Sequence, residues 1–193
     1  MSHFTAVFDA CVLHPADLRD FLMWLARTRL FRAKWTTMIH EEWIRSVVRR
    51  RPEVEQDQIH RKLLKTATVM NLAIPDSLVE GYESLIEGIH LPDADDRHVV
   101  AAAIRSNAEV IVTFNLKDFP DEALKPFSIQ AQHPDEFVIS LIDINENAVW
   151  EAARKQRANL RNPTKSVEEL LCGLEKSGLV KTVEFLRRRR DFI

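Results

Sequence analysis

Short apolar runs that close on a polar residue alternate along this chain with stretches of helical spacing. Ala6-Val7-Phe8 ends at Asp9, and Val110-Ile111-Val112-Thr113 is the clearest strand signal in the sequence. Lys34-Trp35-Thr36-Thr37 and Ser128 to Gln132 read as further strands, and Ala73-Ile74-Pro75 as a short strand or a turn. Between them, apolar spacing predicts helices over 15–29, 39–50, 53–71, 77–87, 93–106 and 134–143. Ile39, Trp43 and Val47 share one face of the second of these. Strands separated by helices cannot pair as hairpins. They require right-handed crossovers and hence a mostly parallel sheet with helices on its faces.

That topology places a ligand beyond the carboxyl ends of the strands. Asp9 stands at the end of the first strand. Asn115 and Asp118 follow the strand at 110–113, and Asp96 opens the helix that feeds into it. Distant segments thus deliver acidic or amide oxygens to one edge of the sheet.

The stretch LPDADDRHVVAAAI at 91–104 adds a second constraint. Aspartate is favoured at helix N-termini, and Asp93 is a good N-cap. On a helical wheel, Val99, Val100, Ala103 and Ile104 form the apolar stripe, and Asp96 falls near its middle. Asp95 points away. A carboxylate on the core-facing side needs a partner. Neighbouring carboxylates at 5–6 Å also repel one another, by ~3 kcal/mol per pair at an effective dielectric near 20. A bound cation relieves both costs, whereas helix capping explains the composition without one. Both readings stand at this point.

Composition narrows the classes. The 193 residues are 46% hydrophobic and 29% charged, enough for one substantial globular domain and an appendage. No apolar run approaches the length of a membrane span, and no secretory leader is visible at the N-terminus, so no membrane association and a cytoplasmic location are expected. Cys11 and Cys172 build neither a disulfide framework nor a zinc pattern. Four glycines form no phosphate-cradling loop, and the serine-hydrolase elbow and HExxH motifs are absent. Charge is uneven: residues 27–65 hold eleven Lys/Arg against five Asp/Glu, and residues 66–134 hold four against eleven. Such a pairing suits a polyanion held against bound cations, and also suits ordinary solvated helix faces. Beyond Asn145 no strand signal remains. Helices are expected near 147–160, 166–176 and 178–190, with Leu170, Leu171, Leu174, Val180, Val183 and Leu186 as their buried faces.

Taken in order, FDACVL, Glu41-Glu42, DADDRHVVAAAI and VIVTFNLKDF resemble the PIN domain family over roughly residues 4–140. HPDEF and the helices after it resemble VapC-type toxins that carry an extra C-terminal helical domain. The resemblance implies a three-layer α/β fold, with a mostly parallel sheet flanked by helices, over 1–143. A small all-helical extension would cover 144–193. It implies a metal-dependent endoribonuclease, the toxin of a toxin–antitoxin pair, with RNA as substrate, a small antitoxin protein as partner, and a homodimer unless the tail alters it. The family's acidic constellation falls on Asp9, Glu42 and Asp96. Glu42 is chosen over Glu41 by its interval from Thr36. At the fourth position the chain departs: Asn115 stands where aspartate is commonest, and Asp118 lies three residues on. Asp9 and Asp96 would then be primary ligands, Glu42 and Asp118 would hold bound water or a second ion, and Asn115 would orient water or phosphate. An all-oxygen ligand set suits Mg²⁺ or Mn²⁺. Arg45, Arg49, Arg50, Arg51, Arg61, Lys62 and Lys65 follow Glu42 and are candidates for gripping RNA phosphates, with Arg187–Arg190 as the alternative. The rival reading is a binding module on the same scaffold, with its site weakened by Asn115. A phospho-acceptor receiver domain also gathers acids at strand ends, but its acid pair follows the first strand.

Overall fold

The computed structural model describes residues 4–193. Its chain order begins β1 (Thr5–Phe8), α1 (Ala10–Leu13), α2 (Ala16–Ala26), β2 (Arg32–Lys34), α3 (Thr37–Arg49) and α4 (Gln56–Ala73). It continues through α5 (Arg97–Arg105), β3 (Val110–Val112), α6 (Asp121–Leu124), β4 (Gln130–Gln132), α7 (Pro134–Asn159), α8 (Val167–Lys176) and α9 (Val180–Arg187). The four strands form one sheet in the order β2-β1-β3-β4, and every pairing is parallel. β1 and β3 are buried along their whole length, as strands covered on both faces must be. The chain leaves β1 for β2 on one side, and β3 and β4 lie on the other. The order therefore reverses between β1 and β3, and a crevice opens at their carboxyl ends.

The helices flank this sheet as expected, with differences that have physical causes. Thr36 is not a strand residue. It is the N-cap of α3, its hydroxyl accepting from the Ile39 N–H at 3.1 Å, so the helix starts at Thr37. The helix expected over 77–87 does not form. Trp35 donates its N–H to the Ser77 carbonyl and accepts from the Val79 N–H, drawing this segment along the sheet edge as extended chain. Gly81 at φ +70° then turns it into a 3₁₀ turn at Glu83–Gly88. Ala73-Ile74-Pro75 is the end of α4 and a turn, with Asp76 in the left-handed region. Asn71 Oδ1 accepts from Trp35 Nε1 at 2.7 Å and lies 3.0 Å from His40 Nε2, while Trp43 Nε1 donates to His40 Nδ1. This buried polar chain fixes α3 against α4.

The two helices expected over 134–143 and 147–160 are one helix, α7, kinked at Asn145 (φ −160°, ψ 92°). Its first half belongs to the main core: the Phe137 ring lies 5.0 Å from that of Phe31 and 6.1 Å from that of Phe8. The C-terminal helices then fold back on α2. Gly173 allows this approach, since a Cβ there would lie 2.1 Å from Asp17 Oδ2. Lys165 pairs with the same aspartate at 2.6 Å. Leu170, Leu171, Leu174, Val183 and Leu186 are fully buried, but Val180 is 56% exposed. Asp135 accepts the N–H groups of Lys181 and Thr182, and this sets a register in which Leu179 is buried instead. Among the described residues, no helix is long and apolar enough to cross a membrane.

Candidate active site

The crevice between β1 and β3 is closed by one residue pair. The Asp9 N–H donates to the Val112 carbonyl at 3.1 Å, which continues the β1–β3 ladder one step beyond the strands. Its buried carboxylate then turns across the strand ends. Asp9 Oδ2 accepts the Thr113 hydroxyl at 2.6 Å and the Cys11 thiol at 3.0 Å. The Cys11 sulfur in turn accepts the Phe114 N–H, and Thr113 Oγ1 accepts the Asn115 N–H. The first turn after β1 and the loop after β3 are therefore locked together through one carboxylate oxygen.

Two further acids arrive from different elements. Glu42 projects from the first half of α3, half-buried, whereas Glu41 beside it is exposed. Asp96 ends a 3₁₀ turn at Ala94–Asp96 that leads into α5, and is buried; Asp95 is exposed. Carboxylate oxygens of Asp9, Glu42 and Asp96 all lie within 4.8 Å of one another.

The capping explanation of the acidic stretch applies to only one of its aspartates. Asp93 caps the 3₁₀ turn, accepting the Asp95 N–H at 2.9 Å. Asp96 occupies the N-cap position of α5, yet its side chain makes no capping hydrogen bond. Its carboxyl is pushed up to about 7, first by burial and then by Asp9, Asp93, Glu42 and Asp118. Asp9 is raised as well: burial outweighs the hydrogen bonds from Cys11 and Thr113 that favour its charged form. Among the described residues, the one basic side chain within ion-pair distance of the cluster is His98, with Nε2 3.3 Å from Glu42 Oε2. His98 Nδ1 is buried without a partner. Three converging carboxylates, two of them held above the usual range and, among the described residues, none facing a lysine or arginine, fit a divalent cation.

The remaining expected residues are placed differently. Asp118 is half-buried and near enough to raise Asp96, but it lies outside the three-carboxylate group. Asn115 is exposed, and its hydrogen bonds are made by its backbone. Sequence reasoning passed over Cys11 and His98. Cys11 stands two residues after Asp9, and a turn of helix there would have pointed it back at the carboxylate. His98 is two residues from Asp96, about 200° away on a helical wheel, so no face pattern linked it to the acids, and its approach to Glu42 depends on how α3 packs near α5.

A parallel α/β sheet with three carboxylates gathered at its switch point defines a protein whose acidic cluster could hold a metal ion. Residues 5–117 match the PIN domain family, and the chain belongs to it. Residues 134–188 match the VapC50 C-terminal domain. A protein of Mycobacterium tuberculosis (strain ATCC 25618 / H37Rv), named "Putative ribonuclease VapC50", is 54% identical over 68 residues, which are 35% of this chain and 40% of that protein. The match thus spans about two fifths of the relative's length. No solved structure matches the chain.

Proposed function

We propose that this protein is a metal-dependent endoribonuclease that hydrolyses RNA phosphodiester bonds, and the toxin of a toxin–antitoxin pair. The observation that carries the reading is the convergence of Asp9, Glu42 and Asp96 from three separate segments onto one point, with no lysine or arginine within ion-pair distance among the described residues. Membership of the PIN family and the name of the mycobacterial relative support the choice of RNA. The partners in this reading are the RNA and a small antitoxin protein, acting in the cytoplasm. The chain divides near the α7 kink into a nuclease part, 1–143, and a helical part, 144–193.

Asp9, Glu42 and Asp96 would hold Mg²⁺ or Mn²⁺, with Asp118 at the rim. When bound, such an ion neutralises charge on the phosphate and lowers the pKa of water. The chain's own contributions are positional. Thr113 and Cys11 both donate to Asp9 Oδ2 and so orient this carboxylate. His98 Nε2 lies 3.3 Å from Glu42 Oε2 and steadies that carboxylate. Burial and the neighbouring acids push the Asp96 carboxyl up to about 7, so a cation held there would compete with its proton.

The test is cleavage of single-stranded RNA by the purified protein in Mg²⁺ or Mn²⁺, with EDTA and Asp9→Asn as controls. Cleavage that EDTA and the substitution both abolish is expected; cleavage that survives them assigns the activity elsewhere. Exposed Asn115 favours the second reading, a binding module on this scaffold, and RNA bound but uncut in every metal would establish that instead.

A further inference from the structure

A groove of about 290 Å³ opens directly on Glu42. Cys11 and Glu42 form its end nearest the acidic cluster, and His14, Ser46, Arg50 and Phe114 line the rest. Larger cavities of about 740 Å³ and 470 Å³ lie against β2 and between α2 and α4, and contain none of the three clustered acids. The groove is at the small end of ligand cavities, which suits one nucleotide rather than a length of strand.

Its chemistry is that of a nucleotide site. Arg50 is exposed, and no acid pairs with it among the described residues. Arg19 is already committed: it donates to the Leu13 carbonyl at 2.7 Å and covers the Trp43 ring. His14 Nε2 is buried with no hydrogen-bond partner. The His14 ring is held below its usual range by burial and then by Arg50, Arg19 and Arg51, so positive charge gathers at this wall. Phe114 is half-buried, packed edge-on against His133 at 5.2 Å. The alternative basic cluster at the C-terminus is mostly paired: Arg187 pairs with Glu168 and Glu175, and Arg188 and Arg189 face Glu184 and Glu146, which leaves Arg190 as its one member without an ion pair among the described residues.

We propose that this groove is the subsite for the nucleotide next to the scissile phosphate, with Arg50 and Ser46 on its phosphate and Phe114 against its base. The proposal rests on the ribonuclease reading, and narrows the basic segment to one side chain. Arginine recognises phosphate through charge-assisted, often bidentate bonds. Aromatic stacking accepts any base, so the site selects a single strand rather than a sequence.

The experiment measures binding of a short single-stranded RNA by fluorescence anisotropy in EDTA, and cleavage of the same RNA in Mn²⁺. Arg50→Gln should raise Kd and KM about 10- to 100-fold, the loss for a charged hydrogen bond, with kcat changed less than about twofold. Its salt slope should fall by roughly 0.7. Arg49→Gln, an exposed neighbour outside the groove, should change neither. A scan with one abasic nucleotide at each position should find a single position whose base matters to the wild type and not to Phe114→Leu. Equal effects of the two arginine variants, or the same abasic profile in Phe114→Leu and wild type, overturn the proposal. A wild type that cuts no RNA in any metal defeats the ribonuclease reading alone, because the anisotropy measurement still decides whether Arg50 and Phe114 bind the strand.

Discussion

Replacing Asp96 by Asn should make the metal-free protein more stable at alkaline pH, although it removes a buried charged residue at the start of a helix. The folded-state carboxyl sits at about 7 against an ordinary 3.8. A gap of roughly 3 pH units corresponds to about 4 kcal/mol as an upper bound, at 1.36 kcal/mol per unit. The sign follows from proton binding. Between these two values the folded chain holds a proton that the unfolded chain has released, so the free energy of unfolding falls as pH rises from about 4 to about 7 and then levels. Asparagine keeps the shape and removes the titration. No capping bond is lost, because Asp96 makes none. At pH 8 in EDTA, the variant should therefore melt higher than wild type by up to about 8–16 °C, taking 2–4 °C per kcal/mol. Near pH 4 the two should converge. Mn²⁺ should raise the melting temperature of wild type only, and its apparent affinity should weaken by up to about tenfold per pH unit below 7 as the proton competes. Thermal melts from pH 4 to 9 read all of this. A variant that melts below wild type at pH 8, with the same pH slope, would show Asp96 to be a structural residue and remove the argument for a cation.

Two further outcomes are expected. Asn115→Asp adds a carboxylate to the loop that carries Asp118, and should lower the Mn²⁺ concentration for half-maximal cleavage several-fold; an unchanged titration means that residue 115 does not reach the ion. Gly178→Ala meets a φ of +92° and places a Cβ 2.9 Å from Phe114 Cε1, so it should cost about 2 kcal/mol in denaturant unfolding and raise KM for RNA, with Mn²⁺ affinity held; an unchanged KM would separate Phe114 from the substrate.

What could be read in the sequence depended on how local the cause was. β1 and β3 were legible because strands buried on both faces must be continuously apolar. Asp96 was legible because helical periodicity set it inside the apolar stripe, where the structure buries it. Thr36 and Thr37 misled because β-branched residues favour strands, while the Thr36 hydroxyl here serves α3 as its cap. Residues 77–87 misled for a tertiary reason: the sheet edge at Trp35 captured them as extended chain, which no local pattern encodes. The family resemblance put Glu42 before Glu41, and Glu42 is the one whose carboxylate lies with Asp9 and Asp96; the same resemblance pointed to Asn115, which is exposed on the loop after β3.

The C-terminal helices posed a question that the sequence could state but not answer: whether they are a separate attachment or a part of the site. Their packing answers it through Phe114. This residue leaves β3 one step after Thr113, and its N–H donates to the Cys11 sulfur that braces Asp9. On its other side the ring meets His133, at the start of α7, and Gly178, in the turn between α8 and α9. That turn is held in place by Asp135, which accepts the first N–H groups of α9, and by α8 resting on α2 through Gly173 and Asp17. A Cβ at 178 is strained, both for its φ and for the closeness of the ring. The helical extension thus forms the back of the aromatic wall whose front faces the groove beside Glu42. A change in how these helices pack would move Phe114, and through its backbone the Cys11 and Thr113 contacts that hold the Asp9 carboxylate.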